Sequence, residues 1–184
     1  FGSGEWLHEK HGGRPRRSWR KLHLAVDPDS GEILASELTP TDDGDASLVG
    51  PLLDQIDSPI SAVFADGAYD GEPVYRAVAG HTPDAAVIIP PRSTAVPSDT
   101  AETDPTQRDR HIQAIAEQGR IGWQTTSGYN ARAWVEGTMS RYKRIIGDTL
   151  RSHTRPAQEI ETRIVVTVLN RMLDLGRPES VRAA

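Results

Sequence analysis

A carboxylate stands at the end of one apolar segment of the chain. Residues 60–65 are mostly apolar, which predicts a buried strand, and Asp66 and Gly67 follow directly. Ligand sites in α/β proteins favour the carboxyl edge of the sheet, and a glycine lets the chain turn away and leaves the carboxylate accessible. Asp66 is therefore a candidate metal ligand, although an Asp-Gly pair after a strand more often forms only a turn.

A second carboxylate, Glu136, lies in a polar pattern with helical spacing. Tyr129, Arg132, Glu136 and Lys143 fall within roughly a 60° arc if one helix contains all four, since each residue turns by about 100°. Arg132 can pair with Glu136 one turn later, which keeps the carboxylate ionised, as a metal ligand must be. The same pattern also fits an ordinary solvated helix face with an Arg–Glu pair. The arc borders an apolar face of Val135, Met139, Tyr142 and Ile146.

The elements that must position these residues are predicted from the hydrophobic pattern and the turn residues. Strands are expected at residues 22–26, 33–38, 60–65 and 85–89, and helices at 45–56, 72–79, 107–118, 130–147 and 157–175. Residues 93–127 are assigned as a loop or insertion region, because 93–106 are rich in Ser, Thr, Pro and Asp. The C-terminal helix, 157–175, is interpreted as a packing element, with Ile160, Ile164, Val168 and Met172 on one apolar stripe and Val165, Leu169 and Leu173 beside it. This order predicts an α/β domain with a mixed sheet.

The charge is unevenly distributed along the 184 residues. The net charge is −5, but residues 1–26 carry six Lys or Arg against two acids, and residues from 110 onward carry twelve against seven. The seventeen acids of residues 27–109 face only three arginines. A polyanion responds to local potential within about 8–10 Å, so two basic ends are compatible with nucleic-acid binding, although ordinary surface charge remains the alternative. The absence of cysteine excludes disulfides and suits a cytoplasmic protein, and no apolar run is long enough for a membrane span.

Several blocks of the sequence, in the same order, resemble bacterial DDE transposases of the IS5 group within the IS4/IS5-like enzymes. The most specific is Tyr-x2-Arg-x3-Glu-x6-Lys at Tyr129, Arg132, Glu136 and Lys143, which matches at all four positions the signature around the third acid of these enzymes. The other blocks are 16–24 (RRSWRKLHL), 65–70 (ADGAYD), 89–92 (IPPR) and 169–172 (LNRM). The resemblance covers nearly the whole chain, and it identifies Asp66 with the second acid and Glu136 with the third.

The resemblance implies an RNase H-like fold that cleaves and joins DNA strands at transposon ends. It implies two Mg²⁺ ions, replaceable by Mn²⁺, bound by Asp66 and Glu136, since two metals can activate the attacking water and neutralise the leaving oxygen. Double-stranded DNA would be the partner, and the active complex would be a homo-oligomer. Tyr129, Arg132 and Lys143 would hold DNA phosphate or orient Glu136. Further phosphate contacts are expected from Arg14, Arg16, Arg17, Arg20, Lys21, Arg141 and Arg144.

One feature of the family pattern has no counterpart in the sequence. The first acid of these enzymes lies on the central first strand, immediately ahead of the segment that matches Phe1 to Trp6, and the chain starts at Phe1. Residues 1–184 are therefore expected to form a single catalytic domain that is truncated at its N-terminus and lacks most of that strand. The sheet would then have a gap or an exposed edge, and the chain alone would not cut DNA.

Three hypotheses remain open from the sequence. The chain is part of a transposase whose missing piece is encoded upstream, or it is a non-catalytic remnant that binds DNA weakly. In the third hypothesis it is an unrelated acidic α/β domain in which the motifs are accidental. That hypothesis predicts that Asp66 and Glu136 lie far apart, beyond the roughly 8–10 Å that a shared two-metal site with its waters can span.

Overall fold

The computed structural model describes residues 19–147 and 149–176. Its strands are β1 (Arg20–Val26), β2 (Ile33–Pro40), β3 (Ala62–Phe64) and β4 (Ala86–Ile88). Its α-helices are α1 (Val49–Leu53), α2 (Glu72–His81), α3 (Gln107–Thr126), α4 (Ala133–Ile146) and α5 (Arg155–Asp174). Three short 3₁₀ turns, Asp45–Leu48, Gly67–Tyr69 and Tyr129–Arg132, lie before α1, after β3 and before α4. The α/β class expected from the sequence is confirmed.

The described strands form two separate two-stranded sheets, which differs from the single mixed sheet expected. β1 and β2 are an antiparallel hairpin, whereas β3 and β4 pair in parallel. Within residues 19–147 and 149–176, no strand is hydrogen-bonded to both pairs. Antiparallel and parallel strand pairs are therefore both present, as in a mixed sheet, but they belong to two different sheets.

Each sheet has its own hydrophobic core. The β3–β4 core contains Val49, Leu53, Val74, Val78, Ala85, Val87 and Ile89, so α1 and α2 pack against this sheet. The hairpin core contains Ile33, Tyr142, Val165 and Leu169, so α4 and α5 cover the hairpin. The Asn170 side chain joins α5 to β2, because its amide donates to the Ile33 carbonyl at 2.8 Å and accepts from the Ile33 N–H at 3.0 Å.

The predicted helix 45–56 is a 3₁₀ turn followed by the short α1, and the last helices of the chain also differ from their predicted form. α3 continues past Gly119 to Thr126, so the irregular part of the 93–127 region ends at residue 106; Gly119 breaks the helical geometry with φ 74°. α5 is a packing helix as expected, but Val165 and Leu169 provide the buried face. The neighbouring stripe of Ile160, Ile164, Val168 and Met172 is 44–58% exposed. The 3.6-residue period therefore predicted the helix, and only packing decided which face is buried.

Candidate active site

Asp66 lies in a tight turn directly after β3. Its backbone is extended, with φ −80° and ψ 174°, and its Oδ1 accepts the Ala68 N–H at 2.8 Å, so the side chain caps the turn Gly67–Tyr69. Gly67 passes close to the chain after β4, because a Cβ at this position would lie 3.2 Å from the Pro90 carbonyl oxygen. The turn therefore uses one carboxylate oxygen of Asp66 and leaves Oδ2 for another partner.

Asp70 fixes the end of the same turn from inside the protein. Its side chain is 0% exposed and receives Nε of Arg108 at 2.7 Å and Nη2 at 3.0 Å. It also accepts the Arg92 backbone N–H at 2.9 Å. Burial by itself raises the pKa of Asp70, but the hydrogen bonds from Arg108 and Arg92 outweigh it and lower the pKa below its usual value. Gly71 holds the N-cap position of α2, so Asp70 is free to tie the turn to α3 through Arg108.

Arg92 adds a third support to the Asp66 turn. Its Nε donates to the Gly67 carbonyl and its Nη2 to the Ala68 carbonyl, each at 3.3 Å. The guanidinium therefore lies over the backbone of the two residues that follow Asp66. Sequence reasoning placed Arg92 in one of the family blocks without giving it a role, because the partners are 24 and 25 residues away in the chain.

Arg132 brings the two candidate carboxylates together. Its Nη1 donates to Glu136 Oε1 at 2.8 Å, and its Nη2 lies 3.5 Å from Asp66 Oδ2. The distance between the nearest oxygens of the two carboxylates therefore cannot exceed the sum of these two distances and the separation of Nη1 from Nη2. That separation lies within the roughly 8–10 Å limit for a shared two-metal site. The (i, i+4) pair followed from spacing; the contact to Asp66 is tertiary.

The helix that was expected to carry the four-residue motif begins later than the arc required. Gly128, with φ 74°, precedes a 3₁₀ turn that contains Tyr129 and Arg132, and only Glu136 and Lys143 lie on α4. The arc calculated for one continuous α-helix is therefore wrong for its first two members. The i→i+3 repeat of a 3₁₀ turn still superposes Tyr129 and Arg132 on one side, which explains why the residues gather despite the error.

Tyr129 is held by a buried aromatic chain that reaches β4. Its ring lies 5.4 Å from the Trp123 ring, and the Trp123 indole N–H donates to His111 Nδ1 at 2.9 Å. His111 Nε2 in turn contacts the Val87 carbonyl at 2.8 Å, so the imidazole is the neutral form that donates from Nε2. Burial raises the pKa of Tyr129, with smaller effects from the charges of Arg132, Asp66 and Glu136.

The remaining predicted phosphate contacts are in different surroundings. Lys143 and Arg144 are exposed in the last turn of α4. Lys143 lies roughly 10 Å along the helix from Glu136, by the rise of an α-helix. Lys21 is already engaged with other residues of the protein, with Asp45 Oδ1 at 3.0 Å and the Asp43 carbonyl at 2.9 Å, although its side chain stays 37% exposed.

Arg20 and Arg141 are less accessible than expected. Nε of Arg20 and both Nε and Nη2 of Arg141 are buried, and none of the three has a hydrogen-bond partner within the described part of the chain. Three further candidates, Arg14, Arg16 and Arg17, lie outside the described residues.

Asp66 and Glu136 supply oxygen ligands of the kind that Mg²⁺ prefers. Across residues 19–147 and 149–176, no group of three or more His, Asp or Glu side chains could hold a metal ion. No helix in these same segments is long and apolar enough to cross a membrane.

Comparison with known proteins gives one family. The family model described as a transposase DDE domain matches residues 1–171, which include every candidate site residue. No solved structure matches the chain.

Proposed function

The chain belongs to the transposase DDE domain family, and on that premise we propose that Asp66 and Glu136 are metal-binding carboxylates of a site that cleaves and joins DNA strands. The substrate is double-stranded DNA at transposon ends and at the target. We place the chain in the IS5 group, with an RNase H-like domain, on the strength of the ordered blocks around Asp66, Arg92, Glu136 and Asn170.

The observation that carries this proposal is the contact of one guanidinium with both carboxylates. Arg132 lies 2.8 Å from Glu136 and 3.5 Å from Asp66, although 66 residues of chain separate Asp66 from Arg132. Two carboxylates held close together repel each other. In an arrangement without a function, Arg132 would serve only as the counter-ion that offsets this repulsion between Asp66 and Glu136. The family match at the same residues favours a site.

The carboxylates fit a divalent cation by type and by accessibility. Asp66 keeps 44% of its side chain exposed and Glu136 keeps 65%, so both reach solvent while Arg132 fixes their direction. When bound, Mg²⁺ (or Mn²⁺) would activate water and neutralise charge on the leaving oxygen of the phosphodiester. Asp66 and Glu136 would hold it, and Arg132, in contact with both, would keep the two carboxylates directed to one place.

The other residues of the motif are proposed to hold the DNA. Tyr129 lies near enough to Asp66 and Glu136 for their charges to act on its phenol, and its ring packs against Trp123, so it can donate to a phosphate oxygen from a defined position. Lys143 is exposed farther along α4 and adds a positive charge for the backbone on the same side. The active complex would contain more than one copy of the chain and act on DNA in the cytoplasm.

The proposal is tested by removing each carboxylate without changing its shape. We expect Asp66→Asn and Glu136→Gln each to weaken Mn²⁺ binding, measured by electron paramagnetic resonance of free Mn²⁺, and to abolish any Mg²⁺-dependent nicking of supercoiled plasmid. The matched control is Glu72→Gln, because Glu72 is an exposed carboxylate on α2 with only a loose 3.9 Å pair to Arg76.

Equal Mn²⁺ affinity in the parent chain and in both site variants would refute the metal site. Plasmid nicking that persists unchanged in both variants would refute the catalytic assignment. Binding of duplex DNA by a parent chain that holds Mn²⁺ no more tightly than both site variants would support the non-catalytic alternative for this chain.

A further inference from the structure

Two arginines outside the four-residue motif, Arg92 and Arg120, lie on the chain segments next to Asp66. We infer that they form a second phosphate-binding surface, the Arg92/Arg120 patch, which holds the backbone of the DNA strand where it passes the Asp66 turn. This inference rests on the proposed function for the identity of the partner.

Arg92 is fixed at its backbone and at its side chain. Asp70 accepts its N–H at 2.9 Å, and its guanidinium donates to the Gly67 and Ala68 carbonyls at 3.3 Å. These two side-chain bonds are long, and the side chain remains exposed. The guanidinium therefore has a defined position beside Asp66 and keeps a solvent-facing edge for another acceptor.

Arg120 is fixed to the same segment by a different route. Its Nη2 donates to the Pro91 carbonyl at 2.9 Å, immediately before Arg92 in the chain. It can reach this oxygen because Gly119, with φ 74°, breaks α3 one residue earlier and redirects the chain. The side chain is otherwise exposed. With φ 74° and ψ 165°, this backbone conformation is essentially restricted to glycine, and another residue would hold it only at a cost of about 1–3 kcal/mol, so the glycine favours the position of Arg120.

The charge on the patch has no carboxylate partner. Within residues 19–147 and 149–176, neither Arg92 nor Arg120 forms an ion pair within 4.0 Å, in contrast to Arg108 and Arg132. Their hydrogen bonds go to neutral carbonyls, which position a guanidinium without neutralising it. Arg92 also acts on Asp70 through its charge, but Asp70 is already bound by Arg108, so positive charge that is pre-positioned and not closely paired remains available for a polyanion.

The patch and the motif together span the Asp66 turn. Arg132 contacts the Asp66 side chain, whereas Arg92 contacts the carbonyls of the next two residues. Arg120 is close enough to Tyr129 for its charge to lower the pKa of that phenol, against the larger effect of burial. Cations therefore border the carboxylates from two segments of the chain, and a guanidinium fork suits phosphate oxygens.

The test counts phosphate contacts through the salt dependence of binding. Each phosphate contact contributes about 0.9 to the magnitude of the slope of log K against log salt concentration on duplex DNA. The slope would be obtained from fluorescence anisotropy of a labelled random-sequence duplex between about 50 and 200 mM KCl. We expect the double variant R92Q/R120Q to lower the slope by about 1.8, and each single variant by about half of that. The charge-retaining R92K/R120K variant is expected to keep the parental slope.

The control is Arg76→Gln, an exposed arginine on α2 whose loss is expected to leave the slope unchanged. Because Arg92 also supports the turn, circular dichroism and thermal unfolding of each variant establish that it is folded. Folded R92Q/R120Q with the parental slope would overturn the patch, as would R92K/R120K with the lowered slope of the Gln pair. Failure of the patch would appear in the salt slope, whereas failure of the proposed metal site would appear in Mn²⁺ binding by the parent, Asp66→Asn and Glu136→Gln, none of which alters Arg92 or Arg120.

Discussion

The buried Asp70–Arg108 pair gives the sharpest prediction for stability. Asp70→Asn keeps the shape of the side chain but removes the negative charge that receives two bonds from Arg108 and one from the Arg92 backbone. The guanidinium of Arg108 then stays partly buried without its counter-ion. We expect the variant to be folded but clearly less stable than the parent.

The expected loss follows from the burial of the two partners. Breaking a buried ion pair by removing one partner costs about 3–5 kcal/mol. Asp70 is 0% exposed, but Arg108 keeps 24% of its side chain exposed and can be partly rehydrated, and the Asn oxygen still accepts one hydrogen bond. The loss should therefore be near the low end, about 3 kcal/mol. For a chain of this size that corresponds to a fall in melting temperature of about 6–12 °C.

The assay is urea unfolding of the parent, Asp70→Asn and Glu72→Gln, followed by circular dichroism at neutral pH. Glu72→Gln is the matched control, since its pair with Arg76 is exposed and 3.9 Å long, and such pairs contribute about 0–1 kcal/mol. An Asp70→Asn midpoint within error of the Glu72→Gln midpoint would refute the reasoning. A double variant with Arg108→Gln should lose less than the sum of the single losses, because the uncompensated charge is gone.

Acid provides an independent check on the same pair. The folded-state pKa of Asp70 lies below its usual value of about 3.9, so the stabilisation is fully present above that pH. It is lost as the pH falls through the lower, folded-state pKa. The difference between the parent and Asp70→Asn should therefore be constant near neutrality and shrink only in strong acid; a difference that grows on acidification would contradict the pair.

Three further predictions concern other fixed points of the fold. Burial lowers the pKa of His111, so the parent should lose stability as the pH falls below about 6.5. In urea titrations, His111→Gln should make stability less dependent on pH, and the same pH dependence in the parent and the variant would contradict this role of His111. Gly119→Ala should destabilise by about 1–3 kcal/mol, because φ 74° and ψ 165° are essentially restricted to glycine. Gly80→Ala, in open space on α2, should stabilise by about 0.5–1 kcal/mol, so shifts of the same sign would contradict the strain. Asn170→Ala should cost about 2–4 kcal/mol by leaving the Ile33 N–H and carbonyl unpaired, and an unchanged urea midpoint would show that they find other partners.

The order of elements and the family were accessible from local pattern. The apolar runs ended near the observed strand ends, the 3.6-residue period located α5, and Asp66 was expected directly after β3. The Arg132–Glu136 pair was also predictable, because a separation of four residues places two side chains on neighbouring turns of any helix. A contact between residues a few positions apart can be predicted from the sequence, because the local backbone geometry alone brings the two side chains together.

The faces and starts of the helices were only partly predictable. The exposed stripe of Ile160, Ile164, Val168 and Met172 has the same period as the buried residues beside it, so periodicity could not choose between them. The four-residue arc required one helix from Tyr129 onward, but Gly128 precedes a 3₁₀ turn in which Tyr129 packs against Trp123. Local pattern gives the existence of an element more reliably than its boundary, because neighbouring elements compete for the same residues.

The sequence by itself determined that Asp66 ends a strand and that Glu136 pairs with an arginine on a helix. Only the tertiary structure decided that this arginine also reaches Asp66, that Asp70 is neutralised by Arg108 38 residues later, and that Arg92 lies over the Asp66 turn. The physical reason is the range of the forces. Helical and strand geometry fixes positions a few residues apart, whereas contacts between distant segments form only when burial of apolar surface brings those segments together.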